Sequence, residues 1–167
     1  MIKNINDSEY LFYISDILEN EEFKKLDKMG HHGITRLEHS IRVSYYSYKI
    51  AKILKLNYET TARAGLLHDF FISNKNRPLY KRFYSIFVHP RYALENANKY
   101  FEIDDISRNI IEAHMFPIYK CVPKYAESWI VTSIDKVSAI YEFGRSFSTR
   151  FSYAANVFIL LFINYLK

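Results

Sequence analysis

Cysteine is nearly absent from this 167-residue chain. Cys121 stands alone, which excludes an intrachain disulfide and every cysteine-based zinc cluster. Glycine and proline are scarce, with four of each, whereas an average chain draws roughly 12% of its residues from these two. A many-stranded sandwich or barrel needs more special turns than that. Gly30, Gly33, Gly65 and Gly144 fit neither of the glycine-rich phosphate loops, G-x-G-x-x-G and G-x-x-x-x-G-K-[ST]. Long apolar runs are lacking too. The longest uncharged one, Phe151 to Leu166, has 16 residues and includes Ser152, Asn156 and Asn164. A membrane span needs about 20. This run reads as a buried C-terminal helix over about 146–166, with a membrane or homodimer contact as the alternatives. Met1-Ile2-Lys3-Asn4 is soon followed by acidic residues, so no signal peptide is expected and the expected location is cytoplasmic.

What is present is the composition of a folded protein, 49% hydrophobic and 25% charged. The net charge of +5 suits an anionic partner weakly. Helical periodicity dominates, and no run alternates as a strand would. Ser8 to Leu18 and Glu21 to Met29 read as short helices, and Gly30-His31-His32-Gly33 breaks the second as a loop. A long helix is expected from Arg36 or Glu38 to Leu56, its buried stripe formed by His39, Val43, Tyr46, Ile50 and Ile53. Another helix runs from Glu59 to about Phe71, then a basic connection from Asn74 to Tyr84. Further helices cover Pro90 to Phe101, Ile106 to Met115 and Ala126 to Tyr141, with Pro90 in a first turn. The expected architecture is a compact, single-domain, all-α bundle spanning residues 1–167.

The chemistry falls to His, Asp and Glu. A lone helical His is usually a satisfied core or surface residue, but His68-Asp69 closes the apolar run Ala62-Arg63-Ala64-Gly65-Leu66-Leu67. Ala64 and Gly65, one turn back, admit a neighbouring helix at close range. A carboxylate at the end of a buried run needs a partner, and a metal ion is one. His39 heads the stripe of the long helix. Asp135 lies inside the apolar segment Trp129 to Val137. Two imidazoles and two carboxylates on three helices suit Mn²⁺, Fe²⁺, Co²⁺ or Ni²⁺.

His39, then His68-Asp69, then Asp135 resembles the H…HD…D signature of the HD-domain superfamily of metal-dependent phosphohydrolases. The flanking text, Leu37-Glu38-His39-Ser40 and Ala64-Gly65-Leu66-Leu67-His68-Asp69, is similar too. With His89 and His114 the pattern resembles the two-metal form, H…HD…H…H…D. The resemblance covers about 30–142. It is nearest to small uncharacterised bacterial HD hydrolases, in which an H-G-x-T like His32-Gly33-Ile34-Thr35 precedes the first ligand. It implies a bundle of the HD type and two divalent transition metals (Fe, Mn, Co or Ni). His39, His68, Asp69 and Asp135 would hold the first. Asp69 would bridge to the second, completed by His89 and His114, and Asp69 and His68 would be the catalytic pair. On the residues alone, His89 also reads as a helix N-cap and His114 as a surface residue. The sequence departs from the family where Phe70-Phe71 follows HD and where the GYP triplet is missing.

A phosphorylated substrate needs positive charge. Lys75, Arg77, Lys81 and Arg82 follow the HD helix with no acid among them, and Lys136 and Arg145 are further candidates. Each also reads as an ordinary solvated cation. His32 reads as a substrate contact or as solvent-exposed. Three function classes follow. The first is a phosphohydrolase acting on a small phosphorylated metabolite, with a nucleotide as the favoured class. The second is a di-iron oxygenase on the same ligands. The third is a non-catalytic anion- or nucleic-acid-binding module with a structural metal. Dispersed cations and the absence of a nucleic-acid motif disfavour the third.

Overall fold

The computed structural model describes the backbone of residues 5–31, 34–72 and 79–165, and side chains within 5–30, 34–72 and 87–148. The chain forms α1 (Ser8–Glu19), α2 (Glu21–Lys24), a 3₁₀ turn (Lys25–Lys28), β1 (Gly30–His31), β2 (Ile34–Thr35), α3 (Arg36–Ile53), α4 (Tyr58–Leu67), α5 (Leu79–Tyr100), α6 (Asp105–Ala113) and α7 (Ala126–Tyr165). It is an all-α architecture with, among the described residues, one two-residue antiparallel ladder, Gly30 facing Thr35 and His31 facing Ile34. That ladder replaces the expected loop at His31 and is too short to show as a pattern.

The ladder delivers the chain into α3. The Arg36 N–H donates to the Met29 carbonyl at 2.7 Å. Thr35 caps the helix by accepting from the Glu38 N–H at 3.1 Å, while Glu38 Oε2 accepts from the Thr35 N–H at 3.2 Å. This capping box satisfies two donors that a helix start leaves open. Asp7, Asn20, Asn57 and Asp104 cap α1, α2, α4 and α6. Asp and Asn thus take up the helix-punctuating work in a glycine-poor chain.

α3 is the central element and packs on both α4 and α7. Its buried face differs from the expected stripe. His39 and Val43 are buried, but Tyr46 is 50% and Ile53 is 76% exposed. Ser40, Ser44, Ser47 and Ala51 fill the contact instead. Small side chains let helices approach closely, so this interface is selected for size, and hydrophobicity points to the wrong side. Ser44 Oγ donates to the Ala62 carbonyl at 2.6 Å and accepts from Tyr10 OH at 2.9 Å. Gly65 of α4 lies against the same serine, and a Cβ there would stand 3.1 Å from Ser44 Cα. Gly65→Ala is therefore expected to destabilise the protein by up to about 2 kcal/mol, because a backbone overpacking cost of about 1–3 kcal/mol is set against a gain in helix propensity of about 1 kcal/mol. A lower urea midpoint checks this; an unchanged one shows that α3 can retreat.

Two helix boundaries differ from expectation. α5 continues through Pro90 rather than starting there. His89 on one side of the proline, and Ala93, Leu94 and Ala97 on the other, are all buried. Packing on both sides outweighs the hydrogen bond that a proline nitrogen cannot make. The segments expected as separate helices at 126–141 and 146–166 form the single α7, whose 40 residues extend for about 60 Å at 1.5 Å per residue. No helix among the described residues is long and apolar enough to cross a membrane.

Candidate metal centre

Six side chains from five segments meet in the interior. His39 comes from the first turn of α3, His68 and Asp69 from the end of α4, His89 from the middle of α5, His114 from the end of α6 and Asp135 from α7. All are buried except Asp135, which keeps 13% of its side chain exposed.

Two of the histidines are held by the same local device. His68 and His114 each follow the last residue of a helix. The final carbonyls of a helix lack partners within it. His68 Nδ1 donates to the Gly65 carbonyl and His114 Nδ1 to the Ile111 carbonyl, both at 2.8 Å. Each bond keeps the proton on Nδ1 and leaves a lone pair on Nε2. His68 Nε2 is buried and makes no hydrogen bond among the described residues, although Asp135 Oδ1 lies 3.5 Å away. A lone pair facing a carboxylate is repelled unless a proton or a metal cation lies between them. His39 Nε2 reaches the same Asp135 oxygen at 3.0 Å.

On the other side of His68, His89 Nε2 stands 2.9 Å from His114 Nε2 and 3.2 Å from Asp69 Oδ1. The donor atoms of His39, His68 and Asp135 lie within 4.8 Å of one another, and so do those of His68, Asp69 and His114. The resemblance makes Asp69 the bridge. The geometry puts His68 in both triads, with Asp69 beside His89 and His114. The residues fit divalent metal ions: imidazole and carboxylate donors, lone pairs directed inward and an orphaned buried nitrogen.

Without an ion, protons and arginines balance the carboxylates. Burial alone would lower the His39 pKa, but Asp135 and Glu142 outweigh it and raise it to about 10. Burial and the neighbouring His68 and His89 push His114 down to about 3. Burial would raise both Asp69 and Asp135. The imidazoles of His89 and His68, with Arg36, hold Asp69 well below the usual range, and His39 and His68 lower Asp135.

The sequence reading missed two charged residues. Glu142 is buried, with Oε2 accepting from His39 Nδ1 at 2.9 Å and Oε1 accepting from Arg42. It lies seven residues after Asp135, two helical turns along the same face, and that spacing was its available signal. Arg36 lies three residues before His39. It is buried, with Nε 3.8 Å from Asp69 Oδ2, NH1 donating to the Phe71 carbonyl at 2.5 Å and its guanidinium 3.8 Å from the Phe71 ring centre. Phe71 in turn stacks on His89 at 4.9 Å.

The candidate substrate contacts are less gathered. Lys136 Nζ donates to the His114 carbonyl at 2.9 Å, bracing the end of α6. Arg145 is exposed on α7. Lys81 and Arg82 lie on α5, but their side chains, with His32, Lys75 and Arg77, fall outside the described residues.

An all-α fold closing on buried imidazoles and carboxylates defines a helical protein with a candidate metal centre. A family model for the HD domain matches residues 36–140, more than half of the chain, and the chain belongs to that family. It thereby belongs to a superfamily of metal-dependent hydrolases. The comparisons with curated proteins and with solved structures found no match.

Proposed function

We propose that this protein is a metal-dependent phosphohydrolase acting on a small phosphorylated metabolite, with a nucleotide as the favoured class. The observation that supports a phosphorylated substrate is Arg36. Its Nε is buried beside Asp69 with no hydrogen-bond partner among the described residues. A buried guanidinium N–H without an acceptor is costly, and a phosphoryl oxygen in the site would supply one.

His39, His68, Asp69 and Asp135 would hold one divalent ion, and Asp69, His89 and His114 a second. Such ions activate water for attack and neutralise charge on a phosphoryl group. The chain does the positioning. The Gly65 and Ile111 carbonyls fix the tautomers of His68 and His114. The Phe71 carbonyl and ring hold the guanidinium of Arg36 beside Asp69. The run from Lys75 to Arg82 would attract the anion. No serine or cysteine nucleophile is needed.

The test is a phosphate-release screen over nucleotides and sugar phosphates with Mn²⁺, Co²⁺, Ni²⁺ and Fe²⁺. Release with one substrate class is the expected result. A metal-loaded protein inert towards all of them, but consuming oxygen with iron, would establish the oxygenase chemistry instead. Once a substrate is found, Arg36→Ala is expected to lower kcat/KM about 10–100-fold, the loss of one charged hydrogen bond of about 1.5–3 kcal/mol. Metal content measured alongside separates this from loss of the site. Unchanged kcat/KM would remove Arg36 from substrate binding.

A further inference from the structure

The geometry points to Glu142 as the positioning residue for His39 as a metal ligand. The inference rests on the metal reading above. α7 approaches the His39 ring from both sides. Asp135 Oδ1 lies 3.0 Å from Nε2, and Glu142 Oε2 lies 2.9 Å from Nδ1. Only the Nε2 side looks towards His68 Nε2, because the same Asp135 oxygen lies 3.5 Å from that nitrogen. An ion held by this triad takes the Nε2 lone pair of His39. Nδ1 must then carry the ring proton and donate a hydrogen bond, which Glu142, a pure acceptor when ionised, accepts.

Glu142 is well fitted to this. Its side chain is 1% exposed, so water does not compete for Oε2. Arg42, one turn after His39 on α3, donates to Oε1 and keeps the carboxylate aimed. His39, Glu142 and Arg42 thus form a chain crossing twice between α3 and α7. Gly65 and Ile111 give His68 and His114 a neutral carbonyl partner. His39 alone of these three is given a full negative charge, which makes its Nε2 the more basic ligand atom.

The test measures Co²⁺ affinity by competition with a chromophoric chelator, on variants whose metal-free circular dichroism matches the wild type. Glu142→Ala is expected to weaken Co²⁺ binding about 10–100-fold, as loss of an outer-shell partner does. Glu142→Gln retains an acceptor for Nδ1 without the charge and is expected to fall between. It is also the near-isosteric variant should the alanine fail to fold. The decisive comparison is made in a His39→Ala background. A residue that acts through His39 has nothing left to position, so adding Glu142→Gln there changes Co²⁺ affinity less than twofold. Equal losses with and without His39 would mean that Glu142 only supports the fold and would overturn the assignment. Co²⁺ affinity unchanged in Glu142→Ala, or in Glu142→Gln if the alanine does not fold, would also overturn it. Wild-type protein that binds no Co²⁺ would overturn the metal reading itself, a distinct failure.

Discussion

Asp69→Ala is expected to abolish phosphate release and to lose bound metal. Asp69 Oδ1 is within 3.2 Å of His89 Nε2 and 3.8 Å of His114 Nε2, and Oδ2 faces Arg36 Nε at 3.8 Å. Removing the carboxylate would take a donor from the proposed metal shell and the charge that would offset a divalent ion. It also strands Arg36 as a buried cation, which costs about 3–5 kcal/mol in comparable cases. Some of the variant will therefore fail to fold, and Asp69→Asn, close in shape, carries the test further. Turnover by Asp69→Asn should fall to background while its helical circular dichroism remains. Full phosphate release from folded Asp69→Asn would end the proposed use of this site.

Metal-free protein is expected to be most stable near neutral pH and to weaken in both directions. His39 has a pKa raised from 6.5 to about 10 in the folded protein. Its contribution is complete below about pH 6.5 and is lost as pH rises through 10. The shift corresponds to about 3–6 kcal/mol at about 1.4 kcal/mol per unit. His114 has the opposite sign. Its pKa falls from 6.5 to about 3, so the unfolded chain binds the extra proton and stability declines as pH drops across that window. Asp69 and Asp135, both held below their ordinary value of 3.8, deepen the acid loss below about pH 4. A metal held in the proposed site would take the place of the His39 Nε2 proton, so the alkaline loss should disappear when metal is present. Thermal melts at pH 6.5, 8 and 9.5, with and without chelator, check this. A chelated protein equally stable at all three pH values would contradict the ion-paired state of His39.

The parts legible in the sequence were those whose chemistry is unusual for its surroundings. His68-Asp69 stood out because a buried helix rarely ends in two ionisable residues. Gly65 marks a point of close helix approach, and Ser44 lies directly against it. The face of α3 was misread because periodicity weighs hydrophobicity, and this interface is built from serines. Local preference favours Pro90 as a helix start, while tertiary packing carries α5 through it. Glu142 and Arg36 were overlooked because an acid or an arginine on a helix is ordinarily solvated. Only the seven-residue spacing from Asp135 marks Glu142, and no comparable local signal marks Arg36.

The sequence alone determined the helical class, the lack of a disulfide framework or phosphate loop, and the set of His and Asp residues able to bind a metal. These follow from composition and short-range spacing, which each residue carries without its neighbours in space. Tertiary structure alone decided which lone pairs converge and which charges are buried in pairs. His39 and Glu142 are 103 residues apart, yet 2.9 Å separates their bonded atoms. Such pairings arise when helices dock and exclude water. Only then does an ordinary carboxylate lose its solvent and take the His39 imidazole and the Arg42 guanidinium as its partners.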